Sequence, residues 1–508
     1  MSYFNPKPLA LILITSLLTA CAGTDLNLKS NVELPDSFEY SLGSMAVDLD
    51  RWWLSWEDPQ LTELIELALN NNKDLAATRA NLESARAMAR AARANLGPEV
   101  GATATAIGAA NRVRNPIGRD ARELLGTLDT NLGDKHLSLD AAGLSGGLAA
   151  SWEPDFFGHK QADIDAATQG AIARAEEWHA AQMLLSTDIA NYYSQWMYFG
   201  EKQRLSSQQI QHLNSLLRYV NGRFEAGQAT AYDRLQIETQ IQAATAARTI
   251  LEAQKAEAER RISVLIGQVP QHFKLKPTQR LLATQTPPMP SGQTPANVLN
   301  RRPDIRANQA LVYAASAQLA SAQADLLPRF KINFLGQGGV ISLDSDLPDM
   351  HGFSSLVSVG VQLPIFTAGR IQANIDSKDA KLRAALLEYD HSVLSALADV
   401  DSAYHAQYLL RQQADQLQEA NNRSRRQVTA ATKLFEHGEA TLDRVLESRL
   451  QLNELQTQLL ELNLAKSQAM LDLYKALGGG WQAEDNTGTG QSDSGLLNDG
   501  SHSTSLSS

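Results

Sequence analysis

Two short segments of this chain are close copies of each other. Residues 224–230 read FEAGQAT and residues 435–441 read FEHGEAT, so five of the seven positions are identical. An aspartate follows each segment, at Asp233 and at Asp443. Because glycine commonly ends a helix, each segment predicts a turn between two helices. The glycines, Gly227 and Gly438, lie 211 residues apart, which indicates one duplicated unit rather than a solenoid of short repeats.

Two further pairs of segments occur in the same order in both halves. The first pair is NKDL at residues 72–75 and RPDI at residues 302–305, and each opens an Ala-rich stretch that stops at a proline. The second pair is WEPDF at residues 152–156 and QLPIF at residues 362–366. Because all three pairs of similar segments occur in the same order in both halves, they support a duplication of the whole unit.

The hydrophobic periodicity changes in the same way within each half. Residues 61–96 and 296–326 are rich in Ala, Leu, Arg, Gln and Glu, with apolar residues three or four apart, which predicts helices. Alternating apolar and polar residues then predict four strands of about ten residues. These strands are expected around residues 100–106, 144–152, 330–334 and 357–363, with polar loops at residues 110–142 and 342–353.

The helices predicted after the strands are unusually long. Residues 161–221 and 371–435 contain no proline and little glycine, so each could form a helix of roughly 90 Å or more. A glycine turn and a returning helix, to about Ile266 or Leu477, follow each one. The sequence therefore predicts two long antiparallel helical hairpins whose Leu and Ala positions form a coiled-coil core.

The composition excludes several classes of protein. Hydrophobic residues make up 43% of the 508 residues, which excludes a wholly disordered chain. The formal net charge of −11 argues against a nucleic-acid-binding protein, which would need a basic face. The single cysteine excludes a disulfide framework within one subunit and any cysteine-rich metal site.

The first residues predict an export signal. Lys7 precedes the short apolar run LALILITSLL at residues 9–18, which is too short to span a membrane as a helix. The only cysteine, Cys21, follows at once, and the segment LTAC resembles a bacterial lipoprotein signal in which the cysteine becomes the lipidated first residue. The next residue, Ala22, is not acidic, which favours the outer membrane. The alternative is a plain secretory signal with an incidental cysteine.

These features predict the organisation of the whole chain. The expected order is a lipoprotein signal peptide (1–20), a lipid-anchored N-terminal segment (21–60), a first repeat (61–266), a Pro-rich connector (267–295), a second repeat (296–480) and a disordered tail (481–508). The connector contains six prolines, which favour an extended link. The tail is too poor in apolar residues to form a core.

Four strands cannot close a membrane barrel by themselves. An open edge in lipid leaves backbone groups unpaired, and the smallest membrane barrels have about eight strands. Several chains must therefore share one barrel, and three chains would give 12 strands around a water-filled lumen. The polar side chains of the strands would then line the lumen, and the apolar faces would meet lipid; the polar set is Lys331, Asn333, Ser358 and Gln362. The predicted fold class is mostly α with a β-barrel portion.

Several motifs in combination resemble the outer-membrane efflux proteins, the trimeric channels of tripartite pumps, and specifically their lipoprotein branch. The resemblance covers residues 48–480. Besides the two turn segments, it rests on Trp52-Trp53 with Asp58-Pro59 and Leu61, RRPDIR at residues 301–306, WEPDFFG at residues 152–158 and PIFTAGR at residues 364–370.

The resemblance implies a homotrimer with a 12-stranded barrel in the outer-membrane lipid and a 12-helix periplasmic tunnel. It implies partners, a periplasmic adaptor protein and an inner-membrane pump, and it implies no cofactor. It also implies that the turns of the two hairpins form the gate and the adaptor-docking surface. The residues that it assigns there are Phe224, Gly227, Asp233, Phe435, Gly438, Glu439, Asp443 and Glu447.

The gate of this chain departs from the family pattern. Asp233 matches the gate aspartate of the family, six residues after the turn glycine. The family's tyrosine and arginine around the second glycine are replaced here by Phe435 and Ala440. We therefore hypothesise that Phe435 closes the gate by apolar packing. In this hypothesis Glu439, Asp443 or Glu447 adds a charged ring that favours cations, and the alternative is that these acidic residues are solvated residues at a helix end.

Enzymatic motifs are weak in this sequence. GLSGG at residues 143–147 fits G-x-S-x-G, but it continues as a predicted strand, whereas a nucleophile elbow needs a following helix. GQGG at residues 336–339 lies at the end of a predicted strand, so we expect a turn rather than a phosphate loop. The expected function is a passive exit duct of an efflux system for drugs or other toxic compounds. The alternative is a lipid-anchored periplasmic helical scaffold with no pore.

Overall fold

The chain is described from a computed structural model. The described residues are 30, 32–40, 48–114, 118, 121, 123, 127, 136–277, 287, 289–290, 292–343 and 350–481, without the side chains of 110–114, 136–141 and 343. The predicted signal peptide, the lipidation site Cys21 and the tail after Trp481 lie outside these residues.

Helices account for most of the described chain, as the sequence predicts. A short 3-10 helix, Trp52–Trp56, precedes the first of them. The α-helices are α1 (Pro59–Asn71), α2 (Lys73–Ala94), α3 (His159–Glu225), α4 (Ala231–Leu265), α5 (Pro295–Arg301), α6 (Pro303–Ala324), α7 (Arg370–Glu436) and α8 (Leu442–Ala476). The two long helices have 67 residues each, which corresponds to roughly 100 Å. No helix within the described residues is both long enough and apolar enough to cross a membrane.

Four strands form one antiparallel sheet. They are β1 (Glu99–Arg114), β2 (His136–Trp152), β3 (Arg329–Leu343) and β4 (Met350–Gln362), and their order in the sheet is β1-β2-β3-β4. The pairing of β2 with β3 joins the two sequence repeats. Within the sheet, β1 and β4 each pair along one side only, so both edges of the sheet are open.

Contacts divide the chain into two compact units. One unit contains the sheet, and its described residues fall within 30–33, 81–174 and 307–394. The other contains the turns of the helical hairpins, and its described residues fall within 34–80, 175–306 and 395–481.

A cluster of large aromatic side chains forms the core of the unit that contains the hairpin turns. Trp52 is fully buried and stacks on Tyr474 with 5.0 Å between the ring centroids. Asp58, which is 2% exposed, caps α1 by accepting from the N–H groups of Gln60 and Leu61 at 2.9 and 3.2 Å. The segment before α1 is therefore an integral part of this core.

The RRPD motif has a structural role in the same unit. Arg301 donates to the Asp50 carboxylate and to the Gly478 carbonyl, so it links the segment before α1 to the end of α8. The buried Arg302 donates to Asp304 at 2.7 Å and to Asp399 at 3.1 Å. The two arginines therefore connect the junction between α5 and α6 to neighbouring segments of the same unit.

The strands are longer than the sequence predicts. They contain 16, 17, 15 and 13 residues, instead of about ten, because they continue into stretches that we expected to be loops. The turn expected at residues 336–339 is also wrong, since this segment lies inside β3 and pairs with β2. A Cβ atom on Gly147 would lie 2.3 Å from the Gly336 carbonyl oxygen, so the glycines permit a close approach of the two strands.

The two faces of the sheet differ in polarity. The register pairs Asn333 with Ser358 and Lys331 with Gly360, and alternation puts Gln362 on the same face. The four polar side chains expected to face water therefore share one face. The opposite face is apolar, with Phe330, Ile332 and Phe334 of β3 opposite Val361, Val359 and Val357 of β4.

Candidate functional site at the hairpin turns

The first candidate turn connects α3 to α4. Gly227 has a positive φ of 71°, which glycine adopts at little cost. Its N–H donates to the Phe224 carbonyl at 3.0 Å, and the Gln228 N–H donates to the Arg223 carbonyl at 2.7 Å. These bonds satisfy carbonyl groups at the end of α3, so Gly227 serves to end the helix.

A complete capping box starts α4. The Asp233 N–H donates to Thr230 Oγ1 at 3.3 Å, and the Thr230 N–H donates to Asp233 Oδ2 at 2.8 Å. The Thr230 hydroxyl donates to the same oxygen at 2.8 Å. These hydrogen bonds favour the charged carboxylate and hold the pKa of Asp233 below its usual value. Asp233 therefore stabilises the start of its own helix.

The second turn, between α7 and α8, lacks this cap. Gly438 has a φ of 74°, and its N–H donates to the Phe435 carbonyl at 3.0 Å, as in the first turn. Thr441 precedes α8, but its side chain makes no capping hydrogen bond. Asp443 is the second residue of α8 and the third is Arg444, so no carboxylate stands where Asp233 stands in α4.

The two turn phenylalanines have different surroundings. Phe224 is 39% exposed, and the Arg234 guanidinium lies 5.3 Å from its ring centroid. Phe435 is 41% exposed, and the residue that corresponds to Arg234 in its repeat is the buried Val445. Phe435 is thus a half-exposed aromatic side chain without the cationic partner that covers Phe224.

The acidic side chains predicted for the gate stand apart from basic partners. Glu439 and Glu447 are exposed, and Asp443 is partly buried. The Asp443 Oδ1 atom is buried without a hydrogen-bond partner, and so is Arg234 Nε. Among the described residues, no ion pair engages these three acids. The structure therefore leaves them able to interact with a partner or a solute, but does not join them into one site.

An apolar cluster lies behind the turns. Leu216 and Val220 of α3, Ile237 of α4 and Leu446 of α8 are buried together. Leu442 and Leu450 pack against the same cluster. The beginning of α8 is thereby fixed against the first hairpin.

Arg234 is the residue at these turns that our sequence analysis misses. It lies over Phe224, and its Nε is 3.7 Å from Glu238 Oε1. Alignment of the two turn segments puts Val445 opposite it. The difference between a charged Arg234 and an apolar Val445, at aligned positions of two similar turns, is the sequence signal that could have identified Arg234.

The rest of the described chain offers few side-chain groups that could bind a metal ion or catalyse a reaction. Within the described ranges, no group of three or more His, Cys, Asp or Glu side chains could hold a metal ion. The G-x-S-x-G segment at residues 143–147 lies inside β2, in agreement with the strand predicted there.

Comparisons with known proteins agree with this architecture. The sequence profile of the outer membrane efflux protein family matches residues 64–268 and 294–479. The pyoverdine export outer membrane protein OpmQ of Pseudomonas aeruginosa is 31% identical over 487 residues, which cover 94% of this chain and 98% of that protein. The toluene efflux pump outer membrane protein TtgF of Pseudomonas putida is 28% identical over 433 residues, with 85% of both chains covered.

A solved structure shows the same fold. The outer-membrane channel OprN superposes with a TM-score of 0.75 at 23% identity, over 91% of this chain and 100% of that one. The profile match covers most of both sequence repeats, and the family consists of transport channels rather than enzymes. This chain belongs to the outer membrane efflux protein family.

Proposed function

We propose that three copies of this chain form an exit duct in the outer membrane, which passively conducts small molecules delivered by a periplasmic adaptor and an inner-membrane pump. The chain itself performs no chemistry in this proposal. The observation that carries the proposal is the open sheet, which has one apolar face, one largely polar face and two unpaired edges.

Closure of this sheet requires further copies. In lipid, unpaired N–H and C=O groups along β1 and β4 would each cost several kcal/mol. Pairing the β1 edge of one copy with the β4 edge of the next removes that cost. Three copies would then give a 12-stranded barrel with its polar face toward the lumen.

The lipid anchor forms a separate part of the proposal. Cys21 would carry acyl chains that hold the mature N-terminus in the outer membrane. The support is the sequence LTAC and the position of this only cysteine. Mass spectrometry of the membrane-extracted protein should find a lipidated N-terminal cysteine, and Cys21→Ser should lose the lipid mass. An unlipidated Cys21 would contradict the anchor and leave the duct unaffected.

The hairpin turns would form the periplasmic gate and the adaptor-docking surface. Phe435 is half exposed, so its ring can close against its counterparts in the other copies by apolar packing. Glu439, Asp443 and Glu447 would then add negative charge around the entrance. Phe224, Gly227, Asp233 and Gly438 would hold the backbone of the turns in shape.

The cargo differs among the relatives. One exports pyoverdine, a second belongs to a toluene efflux pump, and a third, CusC of Escherichia coli, belongs to a cation efflux system. We propose small toxic molecules in general, chosen by the pump that delivers them.

The assembly can be tested with cysteines on the two sheet edges. In the Cys21→Ser background, Ala104→Cys on β1 and Val357→Cys on β4 are combined, and a bismaleimide of about 10 Å is added. We expect a covalent ladder up to the trimer, a trimeric mass in detergent and ion current in planar bilayers. Either single cysteine variant serves as the control and should give no ladder. A stable monomer in detergent without ion current would contradict the duct.

A further inference from the structure

The polar face of the sheet contains a row without any polar side chain. The register across all four strands defines successive rows on this face, listed from the Glu99 end of β1: Glu99–Ser151–Asn333–Ser358, Gly101–Ala149–Leu335–Leu356, Thr103–Gly147–Gln337–Ser354, Thr105–Ser145–Gly339–Gly352 and Ile107–Gly143–Ile341–Met350. The second row is entirely apolar, although a polar row lies on each side of it. The fifth row is apolar as well. It is the last row in which all four side chains are described, so only the second row is known to lie between two polar rows.

Leu335 and Leu356 dominate the second row. They stand directly opposite each other on β3 and β4, where Cβ atoms are about 5 Å apart. Leu335 is 36% exposed and Leu356 is 61% exposed, so both keep apolar surface that their own chain does not cover. The other two residues of the row, Gly101 and Ala149, are too small to cover the two leucines. The pair therefore presents one continuous apolar surface.

Threefold symmetry would multiply this surface. In the proposed trimer, the three copies of each leucine stand at one height in the tube, so six leucine side chains occur at one level of the wall, between two rows that contain polar side chains. A barrel of 12 strands is too wide for these side chains to meet across the lumen. The leucines consequently cannot act as a plug and remain available to a passing solute.

We propose that Leu335 and Leu356 form an apolar contact site on the lumen wall that favours organic solutes carrying an apolar group over hydrated ions of the same charge. This inference rests on the proposed function, because it needs the polar face to line a water-filled duct. Removing apolar area of the solute from water supplies the attraction. The hydroxyl and amide groups of Ser358, Asn333 and Gln337 in the flanking rows can receive the polar part of the same molecule.

The test compares two probe cations that differ only in apolar surface. Tetrapentylammonium and tetramethylammonium are added to the wild-type trimer in planar bilayers, and the half-blocking concentration of each is measured. We expect tetrapentylammonium to block at the lower concentration. The variant Leu335→Ser with Leu356→Ser should raise the half-blocking concentration of tetrapentylammonium roughly fivefold, as lost apolar contact predicts, and leave tetramethylammonium unchanged.

Matched variants separate apolar contact from damage to the barrel. Leu335→Ile with Leu356→Ile keeps the apolar surface and should retain the wild-type block. If the serine variant does not assemble, Leu335→Thr with Leu356→Thr removes a smaller part of the apolar area with better strand formers, and should raise the half-blocking concentration of tetrapentylammonium by a smaller factor. Ion current with an unchanged tetrapentylammonium block in the serine or threonine variant would overturn this inference alone. Absence of ion current from both the wild type and Phe435→Ala, together with a stable monomer in detergent, would overturn the proposed function and this inference with it.

Discussion

Thr230 and Asp233 form a reciprocal pair at the start of α4, in which the hydroxyl and the N–H of Thr230 both donate to one oxygen of Asp233 at 2.8 Å. The matching threonine of the second repeat, Thr441, makes no capping hydrogen bond with its side chain. The two turns are similar in sequence, but only the helix after the first turn has a capping box at its N-terminus.

This difference predicts unequal effects of the same substitution. Thr230→Ala should increase amide hydrogen exchange in the first turn of α4, because the Asp233 N–H loses its acceptor. Thr441→Ala is the matched control and should leave exchange in the first turn of α8 unchanged. Equal effects of the two variants would contradict the assignment of the capping box.

The pH dependence of this effect follows from Asp233. Its pKa is lowered in the folded chain by the hydrogen bonds from Thr230, so its stabilisation is complete above the unfolded pKa and is lost as pH falls through the folded pKa. The difference in hydrogen exchange between wild type and Thr230→Ala should therefore narrow in acid, to the part that comes from the Asp233 N–H donating to Thr230 Oγ1. A difference that does not narrow as pH falls through the folded pKa would contradict this account.

The gate hypothesis predicts a leak through a substituted second turn. Phe435→Ala removes the half-exposed ring proposed to pack against its counterparts, so the resting conductance of the reconstituted channel should rise. Phe435→Leu retains an apolar side chain and is the control, with a conductance near that of the wild type. No rise for Phe435→Ala would argue against closure by this side chain.

Arg302 should contribute more to stability than an arginine on a helix surface. Arg302 is buried and contacts Asp304 and Asp399, so Arg302→Ala leaves two carboxylates without their cation. Because both carboxylates are about half exposed, we expect a loss of about 1–2 kcal/mol in the free energy of unfolding. The control is Arg423→Ala, which removes a solvent-exposed pair with Glu419 and should cost little stability because water and salt screen it. Thermal denaturation in detergent measures both, and equal losses would contradict the burial argument.

Gly147 and its neighbour Gly146 should differ in their tolerance of a methyl group. A Cβ atom on Gly147 would collide with the Gly336 carbonyl at 2.3 Å, whereas one on Gly146 would meet no atom closer than the Thr103 carbonyl at 3.8 Å. Gly147→Ala should therefore lower the yield of assembled, heat-modifiable protein on gels, and Gly146→Ala should not. Full assembly of Gly147→Ala would show that the two strands can separate at little cost.

Tyr404 predicts a loss of stability in alkali. Its hydroxyl donates to the Pro290 carbonyl at 3.0 Å, and burial raises its pKa to about 12. Because the folded pKa lies above the unfolded value, the stabilisation is complete below the unfolded pKa and is lost as pH rises from about 10 toward 12. Tyr404→Phe should weaken this pH dependence and cost about 1 kcal/mol at neutral pH. Denaturation followed from pH 8 to pH 12 would test it, and identical slopes for the two proteins would count against it.

The long helices could be predicted from sequence because their signals are local. The absence of proline over residues 161–221 and 371–435, followed by a glycine, predicts the 67-residue helices α3 and α7 to within a few residues. The strands were harder, because their glycines read locally as turns. The role of Gly147 and Gly336 as a close contact depends on which strand lies beside them, and no single segment contains that information.

The turn residues illustrate the same limit. The sequence has an aspartate near both turns, but Asp233 follows Thr230 by three residues and Asp443 follows Thr441 by only two, and the helix bounds confirm that Asp443 is one residue too early to complete a capping box. The location of both turns could thus be predicted, whereas the hydrogen bonds and the ring contact of Arg234 depend on three-dimensional placement.

The capping box of α4 and its absence from α8 give the two hairpin turns different surfaces for an adaptor to recognise. Going around the proposed trimer, firmly capped and weakly capped turns would alternate, so the periplasmic end would have true threefold symmetry despite its six similar hairpins. An adaptor that contacts all six turns would then meet two kinds of binding surface, one with a capped helix and one without. Opening would start at the three uncapped turns.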